Sequence, residues 1–285
     1  MILSIFSQWH EALWSPFQLG TPMAIRALEL LFALSASIQT LEFLRMGKAM
    51  NGTGLWVWRI QRADIPNAII RQLFDALYAK PVFKALLWSR LLALLSLALQ
   101  GSGLLNVLFL FITHVWVLIR WRGAFNGGSD FMTLVVLTGL LLAQLILCFT
   151  NVSSEPATDL AWRACFGYIA IQSITSYFVS GSVKLLKPEW RNGQALTIFL
   201  NAAVHGPLPN PHILRKPFFA TAASWGFILW ECAAPLVLLD TRWAVLFCFI
   251  AALFHFLVFW FFGLNRFFWA WLATFPAIVW CSGQF

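Results

Sequence analysis

The sequence predicts an all-α protein that crosses a membrane about eight times, with one additional amphipathic helix on its surface. Three observations predict it. Of 285 residues, 60% are hydrophobic and only 11% are charged, where soluble domains carry about 25% charged residues. The apolar residues fall in blocks of the roughly 20 residues that a helix needs to cross hydrocarbon. The lysines and arginines concentrate between those blocks, so the net charge of +8 reads as basic loops against anionic lipid rather than as a nucleic-acid surface.

Residues 1–20 carry Trp9, His10, Trp14 and Phe17 and little charge, an interfacial lead-in to a single transmembrane domain over 21–285. No basic n-region or Ala-x-Ala site is present at the start, so no cleaved leader is expected. A first span covers 22–43. Arg26 and Glu29 are i, i+3 neighbours within it and can pair; such a pair either fixes helix packing or meets a substrate. Residues 44–81 hold Arg45, Lys48, Arg59, Arg62, Arg71 and Lys80. Ile65, Ile69, Ile70, Leu73 and Leu77 recur at helical spacing behind Pro66, which predicts the surface helix.

The charge-free run Leu91–Ile119 is too long for one crossing. Gln100-Gly-Ser-Gly103 divides it into spans at 82–101 and 104–120. His114, inside the second, reads more readily as a helix–helix hydrogen bond than as a ligand. The connector 121–130 is glycine-rich but lacks the Gly-Lys-Ser/Thr of a P-loop; Ser129 or Asp130 can cap the next span, 131–150. Spans at 161–185, 218–239, 243–263 and 267–283 complete the eight. His205 and His212 flank a proline-rich loop with no third ligand nearby, so no metal is expected. Cys148, Cys165, Cys232, Cys248 and Cys281 sit in apolar segments without a CxxC and read as small core residues.

The stretch Tyr177–Leu196, YFVSGSVKLLKPEWRNGQAL, stands apart. On a helix, Ser173, Ser176, Tyr177, Ser180, Gly181 and Lys184 share one face, a small, hydroxyl-rich stripe ending in an ammonium. An ionisable group in a span usually faces a bundle interior or a wet cavity; near a span's end it can instead snorkel to the interface. Glu231 in Leu-Trp-Glu-Cys and His255 in Leu-Phe-His-Phe are similarly enclosed. Lys184, Arg90 and Arg26 are the cations open to Glu231.

Gly181, Lys184, Leu185, Glu189, Trp190 and Gly193 together resemble a motif of the vitamin K-dependent γ-carboxylase-like membrane domain, the superfamily that includes the bacterial HTTM proteins. Asn126-Gly-Gly-Ser-Asp-Phe131 resembles the family's Asn-rich turn. Glu231, Asp240 and His255 follow with similar spacing, and the likeness runs from about residue 20 to about 275. It implies a quinone or quinol as cofactor, with Lys184 as base, His255 as a supporting hydrogen-bonding residue and Glu231 as an acidic neighbour. Tyr177, Gly181 and Asn126 are expected at the cofactor. A lysine in a low-dielectric pocket has a depressed pKa, which suits a base, and the aromatic richness suits a flat ring. Gly128 stands where the family has a histidine. The sequence ends at Phe285 without the family's large soluble region, so processive carboxylation of a peptide is not expected.

The expected activity is therefore quinone-dependent redox or carboxylation chemistry in the plasma (bacterial inner) membrane. The alternative is a non-catalytic membrane subunit of a larger complex, or a helper in maturation or export of a small secreted peptide. The expected partners are membrane lipids, with a protein chain or small peptide as the possible third party and no nucleic acid. An enzyme needs Lys184 in a pocket beside Glu231 or His255, whereas a structural subunit needs a filled core there. A transporter is a weaker idea kept open by the breaks near 100–103 and 206–211. The positive-inside rule puts the basic loops and the Lys184 end in the cytoplasm, while the resemblance puts that end on the lumenal or periplasmic side; both orientations stay open.

Overall fold

Prolines set where several helices begin. A computed structural model describes residues 20–50, 56–121, 127–150, 155–207, 209 and 212–284. The lead-in over 1–20, apart from Gly20, and Asn126 lie outside the described residues. Helix α1 (Thr21–Arg45) carries Pro22 in its first turn, and α3 (Lys80–Gln100) carries Pro81. Proline is welcome there because the first-turn N–H groups have no intrahelical acceptor. Between them lies the short α2 (Ala68–Leu77). The chain continues through α4 (Leu104–Trp121), α5 (Gly127–Phe149), α6 (Glu155–Leu186), α7 (Gln194–Asn201), α8 (Pro217–Cys232), α9 (Thr241–Phe262), α10 (Asn265–Leu272) and α11 (Phe275–Ser282). No strand occurs among the described residues. Among the described residues five helices, α1, α3, α4, α5 and α9, are long and apolar enough to cross a membrane.

The sharp turn between α3 and α4 falls at the predicted glycine. Gly101 has φ +87°, a conformation that side chains rarely adopt. The Glu29 carboxylate lies about where its Cβ would point, at 3.4 Å, and accepts a 2.7 Å hydrogen bond from the Ser102 N–H. Arg26 pairs with Glu29 at 3.2 Å and donates to the Ala98 carbonyl. The Arg26–Glu29 pair thus fastens α1 to the α3–α4 turn, which makes its role one of packing.

Three expectations need correction. The span expected over 218–239 is not one α-helix: α8 stops at Cys232 and passes into a 3-10 turn, Ala234–Leu239. Pro235 lacks an N–H and its ring clashes with the carbonyl four residues back. The span expected over 267–283 divides likewise into α10 and α11 ahead of Pro276, with Thr274 Oγ1 donating to the Trp271 carbonyl at 2.8 Å. And α5 starts at Gly127, so Ser129 and Asp130 lie within its first turn rather than capping a helix at 131.

Asp130 turns inward instead. It accepts from Gln39 Nε2 at 2.8 Å and pairs with Arg266 at 3.4 Å. Arg266 also pairs with Glu42 at 2.9 Å, which Asn265 supports at 3.0 Å. His114 Nε2 lies 3.1 Å from the Asp130 carbonyl, the helix–helix contact read from the sequence. One polar network therefore ties α1, α4, α5 and α10. Fully buried Arg90 donates to Thr113 Oγ1 at 2.9 Å and to the Leu110 carbonyl. The cysteines divide: Cys165, Cys248 and Cys281 are buried as expected, while Cys148 is exposed and therefore no core residue.

The predicted surface helix is α2. It starts later than Ile65 because Asn67 caps it, accepting from the Ile69 and Ile70 N–H groups. Ile69, Ile70 and Leu73 are exposed, while Phe74 stacks on Tyr78, which donates to the Trp116 carbonyl at 2.8 Å. Phe43, Tyr78, Phe83, Leu87, Val117 and Trp121 form a small second core beneath this cap. Asp75 accepts from Trp58 Nε1 at 2.7 Å and from Arg62 at 2.5 and 2.9 Å.

The Arg62 hydrogen bonds, and then that of Trp58, hold the Asp75 carboxyl below the ordinary carboxylate range. A folded-state value below the unfolded one of about 3.9 gives a stabilisation that is complete above that pH and fades as pH falls through the lowered value. Hydrogen exchange over Trp58–Leu77, corrected for intrinsic rates, should keep its protection from neutral pH down to about pH 4 and lose it below. Asp75→Asn should show that loss at neutral pH, with α3 to α5 unchanged.

Candidate functional site: an ion pair in an aromatic cavity

The hydroxyl stripe on α6 is mostly satisfied by its own helix. Ser173 donates to the Ile169 carbonyl at 2.8 Å and Ser176 to the Gln172 carbonyl at 2.7 Å, the back-bonding available to serine inside a helix. Ser180 is different: it donates to Glu231 Oε1 at 3.2 Å and accepts from Lys184 Nζ at 2.7 Å. Lys184 Nζ reaches both Glu231 oxygens, at 2.6 and 2.5 Å. The Lys184 side chain is 14% exposed and that of Glu231 only 3%. The lysine therefore turns inward rather than snorkelling, and of the three cations open to Glu231 it is the partner. Arg26 and Arg90 are engaged elsewhere.

Two glycines of the motif make this meeting possible. A Cβ on Gly181 would come within 2.7 Å of the Cys232 N and 2.8 Å of Glu231 Cβ, so only glycine lets α6 and α8 approach closely enough. Gly193, at φ +78°, would put a Cβ 2.6 Å from the Thr221 N. Around it, Thr221 Oγ1 donates to the Asn192 carbonyl at 2.9 Å, and Ser224 Oγ donates to the Trp190 carbonyl. The segment after α6 is thereby folded back on α8, and the Trp190 ring sits 5.2 Å from Lys184 Nζ, a cation–π contact.

Lys184, Glu231, Tyr177 and His255 all line one cavity of about 560 Å³. Tyr177 Oη lies 2.6 Å from His255 Nε2. The imidazole stacks on Trp271 at 5.0 Å and meets the edge of Phe267. The rest of the wall is almost wholly apolar: Trp190, Phe199, Phe227, Phe254, Phe261 and Phe262 among others. The volume falls within the range of small-molecule sites. A flat ring fits such walls, and the ion pair and the Tyr177–His255 couple are among the polar features that it would meet.

The other expected residues stand elsewhere. Gly181 is buried at the helix crossing behind Glu231 and contributes no wall. Asp240 caps α9, accepting from the Arg242 N–H at 2.7 Å and pairing with Arg242, at the far end of the bundle. Glu189 and Leu185 point outward. Asn126 lies outside the described residues. Among the described residues no three His, Cys, Asp or Glu side chains gather as metal ligands. Sequence reasoning put Ser180 on the polar stripe without giving it a role, and apart from His255 it missed the walls from α7, α9 and α10. Trp190 was visible as a motif residue but not as the lysine's aromatic neighbour.

Comparison with protein-family models, curated proteins and solved structures finds no match to this chain.

Removing one member of a buried ion pair leaves an uncompensated charge and costs about 3–5 kcal/mol, whereas replacing both with apolar groups can be neutral. Lys184→Met alone should therefore lower thermal stability strongly, and the double replacement Lys184→Met with Glu231→Leu should recover most of it. Gly181→Ala should destabilise by about 1–3 kcal/mol through overpacking. Thermal unfolding in one detergent reads all three.

Proposed function

We propose that the chain is a multi-pass membrane enzyme similar to the HTTM and γ-carboxylase-like domain, and that it holds a quinone or quinol in the cavity beside Lys184. The observation that carries the proposal is the union of Lys184, Glu231, Tyr177 and His255 on one aromatic-walled cavity. A non-catalytic subunit calls for a filled core at the lysine, so the cavity favours the enzyme. The pair Lys184–Glu231 is the acid–base couple for a quinol hydroxyl, with Tyr177 and His255 as a second polar couple in the same wall. A quinol bound there would supply a hydroxyl proton and two electrons, the reducing half of the redox chemistry to which the resemblance couples any carboxylation.

In this reading the chain crosses the plasma membrane eight times. Besides the five apolar helices, α6 crosses once; its 32 residues make about 48 Å of helix. The pair formed by α8 and its 3-10 extension crosses again, and so does the pair α10 and α11. The cavity then lies toward the end of the bundle where Arg45, Lys80, Lys187, Arg191 and Lys216 cluster. The five exposed apolar helices supply the lipid-facing surface.

The test is the quinone content of the purified protein after solvent extraction. Wild type should carry close to one quinone per chain. Lys184→Ala should lose most of it. Ala223→Phe, which fills the cavity from α8 and leaves the ion pair intact, should lose it while unfolding at nearly the wild-type temperature. An absence of quinone in wild type, with no uptake from quinone-loaded proteoliposomes, would refute the proposal.

A further inference from the structure

The contacts around Lys184 bear on which member of the pair takes a proton. An ammonium has three N–H donors and no acceptor. Lys184 Nζ has three acceptors within reach: Ser180 Oγ at 2.7 Å and the two Glu231 oxygens at 2.6 and 2.5 Å. All three donors are thus engaged. The Trp190 ring, 5.2 Å from Nζ, favours the charged form further, since a ring face attracts a cation and not a neutral amine. A carboxylate offers about four lone-pair sites. Glu231 receives two hydrogen bonds from Lys184 and one from Ser180, which leaves about one open. The resting pair therefore has a vacant acceptor, on the glutamate, and no vacant lone pair on the lysine.

We infer that Glu231 is the proton acceptor for the ligand hydroxyl and that Lys184 remains an ammonium throughout, as the countercharge for the oxyanion that forms. This rests on the quinol reading of the cavity and changes the role that the family resemblance implies for the lysine. The step balances without a further reactant. The ligand O–H bond breaks, its electron pair stays on the ligand oxygen, and the proton forms an O–H bond on Glu231. The Lys184 N–H groups turn from the neutralised carboxyl to the oxyanion. The three groups sum to no net charge before and after, so no proton leaves the site. That matters in an apolar wall, where creating net charge is costly.

The test uses the full-length protein in nanodiscs with 2-naphthol, a phenol that resists oxidation and absorbs differently once ionised. Infrared difference spectra and ultraviolet absorption are recorded on binding, with an indicator dye in the medium. In wild type, binding should give the naphtholate absorption together with a new protonated-carboxyl band, one per naphtholate, that shifts in heavy water, and the dye should register no proton release. Glu231→Gln should lose the carboxyl band and release one proton per naphtholate. Lys184→Arg should keep both signals, because a guanidinium supplies the charge but cannot act as a base. Naphtholate in wild type without a carboxyl band overturns the assignment and leaves the lysine as base, and loss of naphtholate in a folded Lys184→Arg protein would say the same. 2-Naphthol that binds wild type without ionising overturns Glu231 as acceptor. The wild-type band alone decides should that variant not fold. A wild type that fails to bind 2-naphthol takes down the quinol reading itself, and this assignment with it.

Discussion

A buried charge must bring its partner along, and most of what fixes this bundle follows from that constraint. Burial strips water from an ion, so each buried charge either pairs or finds several dipoles. Arg26 with Glu29 closes the α3–α4 turn. Arg266 with Glu42 and Asp130 joins the start of α10 to α1 and α5. Lys184 with Glu231 joins α6 to α8. The last two link segments distant in sequence directly, and the first does so through its hydrogen bonds to Ala98 and Ser102, so each specifies which helices are neighbours, something apolar surfaces do poorly. In lipid, helix association relies on close packing and polar contacts rather than on a hydrophobic drive. Gly139, whose Cβ would meet Ile169 at 2.8 Å, and Gly181 against Cys232 supply the close packing beside those polar links.

How much of this could be read in the chain depended on whether the cause was local. The α3–α4 break was legible because a glycine with positive φ is a local requirement, and Gln100-Gly-Ser-Gly103 announced it. The inward lysine was legible as a question, since its helical face could be drawn without knowing its neighbours. Its partner was not: Glu231 lies 47 residues away, and three cations were equally open. Pro235 and Pro276 were in plain view, yet hydropathy alone ran a single span through each. Proline chemistry should have outweighed it. The Asp130 carboxylate, beside Ser129 ahead of an apolar block, had the look of a helix cap. Tertiary demand won, because buried Arg266 needed a counterion and α5 had begun three residues earlier. The cavity walls were illegible in principle. Phe199, Phe254 and Phe267 look like any lipid-facing phenylalanine until the helices are assembled.

The glycines of the Lys184 motif acquire a physical reason once the helices are packed. Gly181 is needed by α8 and not by a ligand. Gly193 turns the chain back so that Trp190 covers the lysine, and Thr221 and Ser224 hold that turn by its carbonyls. The motif thus encodes the placement of one cation: two glycines to bring backbones together, a tryptophan to face the ammonium, and a serine one turn earlier to share it with Glu231. A resemblance built on such residues is a statement about how an ammonium is held, and it leaves the identity of what the ammonium meets to the rest of the wall.

That wall narrows the chemistry. Its polar groups are few, and four of the residues that carry them stand in couples, Lys184 with Glu231 and Tyr177 with His255. A ligand with a full negative charge would have to displace Glu231 from the lysine, leaving a carboxylate without its partner in an apolar surround, a costly arrangement. A ligand with no polar atom would gain nothing from the pair. A neutral molecule with one hydroxyl at the edge of a flat apolar ring meets neither objection, because it can donate to the open acceptor site of the carboxylate while the pair stays closed. A preference for such a ligand would follow from the neutrality of the couple, and the proposed proton transfer within the site would preserve that neutrality.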